Sequence, residues 1–415
     1  MRDKKRSIRF FVLAAILFCM VIFIGSYIFF QKTGHSVKEN AQYYDPMMYM
    51  GFASEDGIYY KNSTGFLYFF DYQTTQDVIV CNKPNCTHNI WYDSTPDEQR
   101  CNAYLPNSLG GAGFVLEDSL YIFHEDLKTQ TSSLIQSKPD RTSPKEIAGF
   151  ENNVISPFVV DRQTLYLSGC AILMEKDEDG IEHPTGENET WIFQLDLETG
   201  KLTNLTERKK AYSSDLYIVG ICNGKIYYKE SYFETMYDGT NYEEANHRVD
   251  WYSYDISKGL TERIFEDAYF QEAYLYHNKL AGIFGKYTAE KGKEDTSVND
   301  RYEQIEITVL DLDTGKRKSI VTADKLLDYI DGKVFYIMEE AERRRYYYYD
   351  IEKEKTMEMS REFMEHLHVR GDFGDYLMVI QDDPDTGIGE YFLIRKQDFY
   401  NEKENYLPIS WKGES

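Results

Sequence analysis

The amino-acid sequence predicts an all-β fold: a seven-bladed β-propeller, with six or eight blades as alternatives, preceded by one N-terminal transmembrane helix. The first observation is a repeated four-residue pattern. It has a turn residue in the first position, an apolar residue in the second and fourth, and an aromatic or apolar residue in the third. It occurs seven times at intervals of 43 to 62 residues, beginning at Gly57, Ser119, Thr164, Gly224, Lys279, Gly332 and Asp375. A period of about 40 to 60 residues built from short strands is typical of propeller blades, which bury their faces against neighbouring blades.

The second observation is an Asp at the end of the predicted third strand in five of the repeats: Asp71, Asp196, Asp255, Asp311 and Asp350. An Asp side chain accepts hydrogen bonds from the backbone of a tight turn, and a Gly that follows can adopt positive φ. These positions therefore predict strand-to-hairpin transitions. The second and seventh repeats lack a clean copy, and segments 137–140 and 397–398 are expected to replace it.

The third observation is the aromatic content, with 36 Tyr, 24 Phe and 4 Trp in 415 residues. Aromatic side chains suit a pleated, half-buried surface. Long helical patterns are absent, and one propeller over residues 46–411 accounts for nearly the whole chain, with 412–415 as a tail. We expect no second folded domain.

The N-terminal region predicts a membrane anchor. Residues 1–9 are rich in Arg and Lys, and residues 10–30 form an uncharged run of 21 residues. A helix of about 20 apolar residues can cross a bilayer, and flanking positive charge favours the cytoplasmic side. The sequence therefore predicts a single-pass protein of the cell membrane with a cytoplasmic N-terminus, a linker at 31–45 and an extracytoplasmic propeller. A cleaved signal peptide is the alternative, although the apolar run is long for one.

The charge of the chain bears on its partners. The formal net charge is −24, which disfavours nucleic acid as a ligand. Three acidic insertions, at 174–189, 233–247 and 287–300, and the cysteine-containing segment 81–109 are predicted to leave the propeller on the same face. We expect this face to bind a protein, a peptide or a cell-wall polymer. The alternative is that the acidic charge serves solubility alone.

One local cluster stands apart from the repeats. Cys81, Cys86, His88 and Cys101 place three thiols and one imidazole within 21 residues, and Pro84 can stiffen the turn between the first two. Such a set can bind Zn²⁺ as a Cys₃His tetrahedron. The alternative is a disulfide, which an extracytoplasmic location favours. Five cysteines follow the predicted anchor, so complete pairing among them would leave one free.

The same segment carries a family resemblance. Cys81, Pro84, Cys86, His88 and the run 101–104 resemble a motif that follows the first blade in bacterial membrane-anchored or lipid-anchored propeller proteins. These proteins are of unknown function and are related to TolB-like and lipoprotein-receptor-type blades. The resemblance implies a propeller fold and a cell-envelope location. It implies no reaction.

Recognisable catalytic motifs are absent: the sequence has no G-x-S-x-G, no H-E-x-x-H and no glycine-rich phosphate loop. No residue is therefore assigned a catalytic role. We expect a binding or sensing module. The alternatives are a glycan-processing enzyme with an acidic site in the propeller channel, which needs two carboxylates at a suitable separation, and a structural assembly platform.

Overall fold

The structure of the protein is a computed structural model that describes residues 41–44, 51–92, 94–105, 112–126, 131–150, 157–236, 246–266, 270–284, 305–340, 343–382 and 389–410. The predicted anchor at 10–30 lies outside these residues, as do the basic segment 1–9 and the tail 412–415. Within the described ranges, none of the helices has the length and apolar character needed to cross a bilayer. Both α-helices there are short: α1 (Arg361–Met364) and α2 (Lys396–Tyr400).

The all-β prediction is confirmed. After β1 (Gln42–Tyr44), the described strands form seven consecutive four-stranded units. The first unit contains β2 (Gly51–Ala53), β3 (Gly57–Lys61), β4 (Leu67–Asp71) and β5 (Gln76–Ile79). The second contains β6 (Gly113–Leu116), β7 (Ser119–Asp126), β8 (Thr131–Ser137) and β9 (Lys145–Phe150). The third contains β10 (Phe158–Asp161), β11 (Thr164–Lys176), β12 (Glu182–Asp196) and β13 (Leu202–Asn204).

The remaining four units follow the same order. The fourth contains β14 (Lys209–Cys222), β15 (Lys225–Phe233), β16 (His247–Asp255) and β17 (Leu260–Glu266). The fifth contains β18 (Phe270–Tyr276), β19 (Lys279–Phe284), β20 (Ile305–Asp311) and β21 (Arg317–Ala323). The sixth contains β22 (Lys325–Ile330), β23 (Lys333–Glu340), β24 (Arg343–Asp350) and β25 (Lys355–Met359). The seventh contains β26 (Leu367–Phe373), β27 (Tyr376–Asp382), β28 (Gly389–Arg395) and β29 (Leu407–Pro408).

Each unit is an antiparallel meander, and the sequence repeat corresponds to its second strand: β3, β7, β11, β15, β19, β23 and β27. Five units are separate four-stranded sheets. The third and fourth units share one nine-stranded sheet, because β12 also pairs with β14, from Glu187 opposite Tyr212 to Thr190 opposite Lys209. This pairing was not predicted.

The predicted Asp turns are present between the third and fourth strands. Asp196 Oδ1 accepts hydrogen bonds from the backbone N and the Oγ1 of Thr199, both at 2.8 Å, and Gly200 follows with φ of 70°. The backbone N–H groups of the turns after Asp71, Asp255, Asp311 and Asp350 likewise donate to the Asp side chains. In the second unit Asp140 takes this role, whereas the seventh unit uses α2 instead.

The core is divided into clusters that join successive units. Buried residues from units one and two form one cluster, and equivalent clusters join two with three, three with four, four with five, five with six and six with seven. A seventh cluster packs Ile58 and Phe70 of the first unit against Met378 and Leu393 of the seventh. The order of packing is therefore cyclic.

Strand β1 lies along the first strand of the third unit. Gln42 is opposite Val160 and Tyr44 is opposite Phe158, in antiparallel register. The Tyr44 ring stacks on Phe158 with centroids 5.0 Å apart and lies 6.0 Å from the ring of Phe114 in the second unit. Burial raises the pKa of Tyr44 far above its ordinary value. Residues 42–44, near the end of the predicted linker 31–45, therefore pair with the third unit and also pack against the second.

Candidate metal centre

The four predicted ligands converge. One ligand atom each from Cys81, Cys86, His88 and Cys101 lies within 4.8 Å of all the others, and His88 Nδ1 is 3.5 Å from Cys101 Sγ. Around a tetrahedral zinc, such atoms are about 3.5 to 3.8 Å apart, because Zn–S is about 2.3 Å and Zn–N about 2.0 to 2.1 Å. The donor set and its spread therefore fit Zn²⁺ with small adjustments. No second group of three or more potential ligands occurs in the described ranges.

A tight turn brings the first three ligands together. The Cys86 backbone N donates to Lys83 O at 3.2 Å, so Pro84 and Asn85 form the turn that the sequence predicts. Asn85 and His88 both have positive φ, 58° and 52°. Asn tolerates this conformation better than most residues, whereas His adopts it at some cost. The backbone is thus bent twice within eight residues to direct these side chains to one point.

The fourth ligand is positioned by packing against the first unit. Cys101 is buried, and its carbonyl accepts a hydrogen bond from Trp91 Nε1 at 3.1 Å. The chain after it pairs with the hairpin between β3 and β4, where Leu67 N donates to Ala103 O at 2.8 Å. Phe66, Cys101 and Ala103 form a separate small cluster. Cys101 is therefore held by the scaffold, and the 81–88 turn is brought to it.

The thiols differ in their ease of ionisation. Burial raises the pKa of Cys101 well above its ordinary value, and the nearby Cys81 sulfur adds to the rise. Burial also acts on Cys81, but the backbone groups of Lys83 and Asn102 and the thiols of Cys86 and Cys101 outweigh it and lower the pKa of Cys81. Metal binding requires thiolates, so a cation at this site would displace the Cys101 proton.

No disulfide joins any of the five cysteines in the described ranges, Cys170 and Cys222 included. The choice between a metal and a disulfide at the cluster stays a prediction. Between Cys81 and Leu105 the described chain has one short 3-10 helix, Asp97–Gln99, and no named strand. A segment of that length with a small apolar cluster needs another constraint to hold one conformation, and a structural metal can supply it.

The acidic insertions are only partly described. The insertion at 174–189 is an extended hairpin and not an irregular loop, because β11 and β12 continue through it to a turn at 177–180. Asp177 Oδ1 accepts from the N–H groups of Asp179 and Ile181, both at 2.9 Å, and its Oδ2 is 2.8 Å from His183 Nε2. The residues 237–245 and 287–300 of the other insertions lie outside the described ranges.

Sequence reasoning missed a buried pair of carboxylates. Glu230 on β15 and Asp250 on β16 are directly opposite each other, and both residues are 3% exposed. Like charges in such a cross-strand pair repel, and here Lys209 pairs with Glu230 and Arg263 with Asp250. The sequence does contain a signal for this pair, because both acids occupy positions at which strand alternation predicts a buried side chain. Both carboxylates neutralise a cation in the fourth unit.

A Ser–His contact was also missed. Ser231 Oγ and His247 Nε2 are 2.7 Å apart at the ends of β15 and β16, and the Phe233 ring lies 5.1 Å from the imidazole. Burial, with a smaller effect of Lys229, lowers the pKa of His247 to about 4. The imidazole is therefore neutral near pH 7. No sequence signal identifies this pair, because the two residues are separated by an insertion.

No protein-family model and no curated protein matches the chain. Among solved structures it is similar to an acylaminoacyl peptidase of Pyrococcus horikoshii, with 14% identity and a TM-score of 0.48 over 86% of this chain and 52% of that chain. It is also similar to the β-propeller domain of the trilobed protease from Pyrococcus furiosus, with 13% identity and a TM-score of 0.44 over 85% and 95%. TolB from Acinetobacter baumannii matches with 12% identity and a TM-score of 0.24 over 74% and 77%. The chain spans about half the length of the acylaminoacyl peptidase, and these similarities assign neither a family nor an activity.

Proposed function

We propose that the protein is a binding module of the cell envelope: a seven-bladed β-propeller, anchored in the membrane by residues 10–30, that presents an acidic and apolar hairpin to a protein partner. The single observation that carries this function is the extended β11–β12 hairpin, which continues beyond the strands that flank it. Neither the membrane location nor the partner is needed to explain the fold.

The cyclic packing supports seven propeller blades. Each unit contributes one face to the cluster before it and one to the cluster after it, and the last cluster joins the seventh unit to the first. Sequential four-stranded meanders packed in this way are the blades of a propeller. In that arrangement β1 lies on the channel side of β10, since β10 is the first strand of its blade. A polypeptide strand in the channel disfavours an acidic glycan site there.

The hairpin has the composition of a protein-binding surface. Ile172 and Met174 on β11 and Ile181 beside its turn are more than half exposed. The exposed Met236 from the fourth unit reaches the same hairpin, where its side chain lies over Gly186. Exposed apolar residues that cluster on one element are typical of interaction sites. The hairpin also carries exposed acids at 175, 177–179 and 182, so the complementary partner is a protein segment with apolar and basic residues.

The cysteine segment belongs to the same proposed surface. It packs against the β3–β4 connection, which joins the second and third strands of the first unit. The β11–β12 turn is the equivalent connection in the third unit. A structural zinc bound by Cys81, Cys86, His88 and Cys101 would hold it in one conformation. Zinc here supports folding, since four protein ligands leave no position open for a substrate.

The binding function is tested by crosslinking full-length protein in its own membrane and recovering the covalent complexes. An Ile172→Ser, Met174→Ser double variant removes the apolar hairpin residues, and Met357→Ser removes an exposed methionine from the sixth unit as a control. We expect the double variant to lose a crosslinked partner that the wild type and the control retain. Equal recovery from all three would refute the hairpin as the binding surface.

The metal and the anchor have their own tests. Purified full-length protein should contain one zinc per chain, Cys86→Ser should lose it, and Cys170→Ser should keep it because Cys170 is outside the cluster. A reduced preparation without zinc would refute the metal centre. Deletion of residues 10–30 should release the protein from alkali-washed membranes, and retention there would refute the anchor.

A further inference from the structure

A cleft lies between the first and second units. Its volume is about 730 Å³, within the roughly 300 to 1,000 Å³ typical of ligand pockets. Its walls are the β2–β3 turn, the β4–β5 turn, the turn at 138–144 and the start of the cysteine segment, which contributes Cys81 and Asn82. Asn82 Nδ2 donates to Asp140 Oδ2 at 2.8 Å, so the cysteine segment is tied across the cleft to the second unit.

The side of the cleft is apolar and aromatic. Tyr59 and Phe69 both line it, with ring centroids 4.7 Å apart. Val78 lines it beside them and is 57% exposed, although it belongs to a strand of a folded sheet. An exposed aliphatic residue next to two aromatic rings in a concave site leaves apolar area that a ligand can cover.

The charge of the cleft has one sign. Glu55, Asp56, Asp71 and Asp140 line it, and none of the lining residues that the structure describes is Lys or Arg. The positive charge of Lys138 contributes to a lowered pKa of Asp140, but Lys138 does not line the cleft. Backbone hydrogen bonds hold the pKa of the Asp71 carboxyl below its ordinary value, so this group is ionised near pH 7. Burial, and then the nearby carboxylates of Asp56 and Asp140, raise the pKa of Tyr59 to about 12.

We infer that this cleft binds a cationic side chain of a peptide, with the aliphatic stem against Val78 and the partly exposed Phe69 and the charged end among the carboxylates. Arg suits such a site best, because its planar guanidinium both stacks on aromatic rings and pairs with carboxylates. The site is separate from the β11–β12 hairpin and goes beyond the proposed function. Binding of the peptide at this site does not require a metal ion.

The test measures binding of two capped tripeptides to the full-length protein by titration calorimetry. The first is acetyl-Ala-Arg-Ala-amide, and the second carries citrulline, an isosteric neutral residue, in place of Arg. We expect the Arg peptide to bind about tenfold more tightly at low ionic strength, with the difference shrinking as salt screens the carboxylates. Equal affinities for the two peptides, or no saturable binding of the Arg peptide, would overturn the inference.

Two matched pairs of variants locate the binding. Val78→Lys introduces a competing ammonium into the cleft, whereas Leu260→Lys places the same charge at a residue 58% exposed on the fourth strand of another unit. Asp71→Asn removes a cleft carboxylate. Asp311→Asn removes a carboxylate outside the cleft that accepts the same hydrogen bonds from a Thr three residues further along the chain. We expect only the cleft variants to weaken binding. Similar losses in both members of each pair would overturn the site.

Discussion

The contact between the first and seventh units allows a test of whether the seven units form a closed ring. Tyr72 and Tyr376 stack across it, with ring centroids 5.0 Å apart and planes 13° from parallel. Tyr72 OH also donates to Phe373 O at 3.0 Å, and Arg395 Nε donates to Tyr376 OH at 3.1 Å. The two tyrosines should therefore stabilise the folded state jointly, because each contributes to the same stacked pair.

The magnitude follows from these contacts. Tyr72→Leu removes one hydrogen bond, about 0.5 to 1.5 kcal/mol, and the ring pair, about 0.5 to 1.5 kcal/mol. Tyr376→Leu removes the same pair and the hydrogen bond from Arg395, so we expect a similar loss of about 1 to 3 kcal/mol. The ring pair is lost in each single variant but only once in the double variant. The coupling free energy should therefore be about 0.5 to 1.5 kcal/mol.

The assay is urea unfolding of the full-length wild type, both single variants and the double variant, followed by tryptophan fluorescence. A control cycle combines Tyr72→Leu with Tyr228→Leu, because Tyr228 stacks on Tyr252 in the fourth unit. The control coupling should be below about 0.5 kcal/mol, as for distant sites. A coupling near zero for Tyr72 and Tyr376, or one equal to the control, would refute closure through this contact.

Three further outcomes are expected. Because the pKa of His247 is lowered to about 4 in the folded state, against about 6.5 for an unperturbed histidine, the unfolded state binds a proton first as the pH falls below about 6.5. The wild type should lose about 1 to 2 kcal/mol of unfolding free energy between pH 7.5 and pH 5. His247→Gln should abolish this loss, and a variant with the same pH dependence as the wild type would contradict the reasoning. Gly315→Ala should lower the free energy of unfolding by about 1 kcal/mol, because the residue has a φ of 67° but no atom near the added Cβ. Gly200→Ala should lower it more, since its added Cβ would lie 2.5 Å from a backbone carbonyl oxygen. Equal losses for the two variants in thermal unfolding would contradict this packing. Arg263→Met should cost about 2 kcal/mol in the same assay because Asp250 stays buried without its cation, and adding Asp250→Asn should recover part of that loss.

The cysteine cluster shows how far spacing alone can lead. Cys81, Cys86 and His88 are close in sequence, so a turn at Pro84 was enough to predict that they converge. Cys101 joins them because residues 103–105 pair with the β3–β4 hairpin, which depends on the sheet. The choice between metal and disulfide could not be made from the sequence, since both need the same thiols near one another. The structure adds that one ligand atom from each of the four residues lies within 4.8 Å of the others, and the zinc measurement proposed above decides between the two.

The acidic insertion at 174–189 shows where sequence reasoning failed. Its charge and its Asp-Glu-Asp-Gly turn are typical of a solvated loop, and the turn at 177–180 is present. At the base of the hairpin, Glu187 to Thr190 on β12 also pair with Lys209 to Tyr212 on β14, which places this part in one sheet with the fourth unit. Strand extension by a neighbouring unit is a long-range contact, and no local pattern in the insertion encodes it.

The sequence by itself determined the all-β class, the seven second strands and the Asp turns, because side-chain alternation and turn chemistry act between residues close in the chain. The tertiary structure decided which units share a sheet, that the seventh unit packs on the first, that β1 lies beside β10 and that a cleft opens beside Val78. Each of these depends on contacts between residues far apart in sequence. Their free energy comes from burying complementary faces, which exist only after the individual sheets have formed.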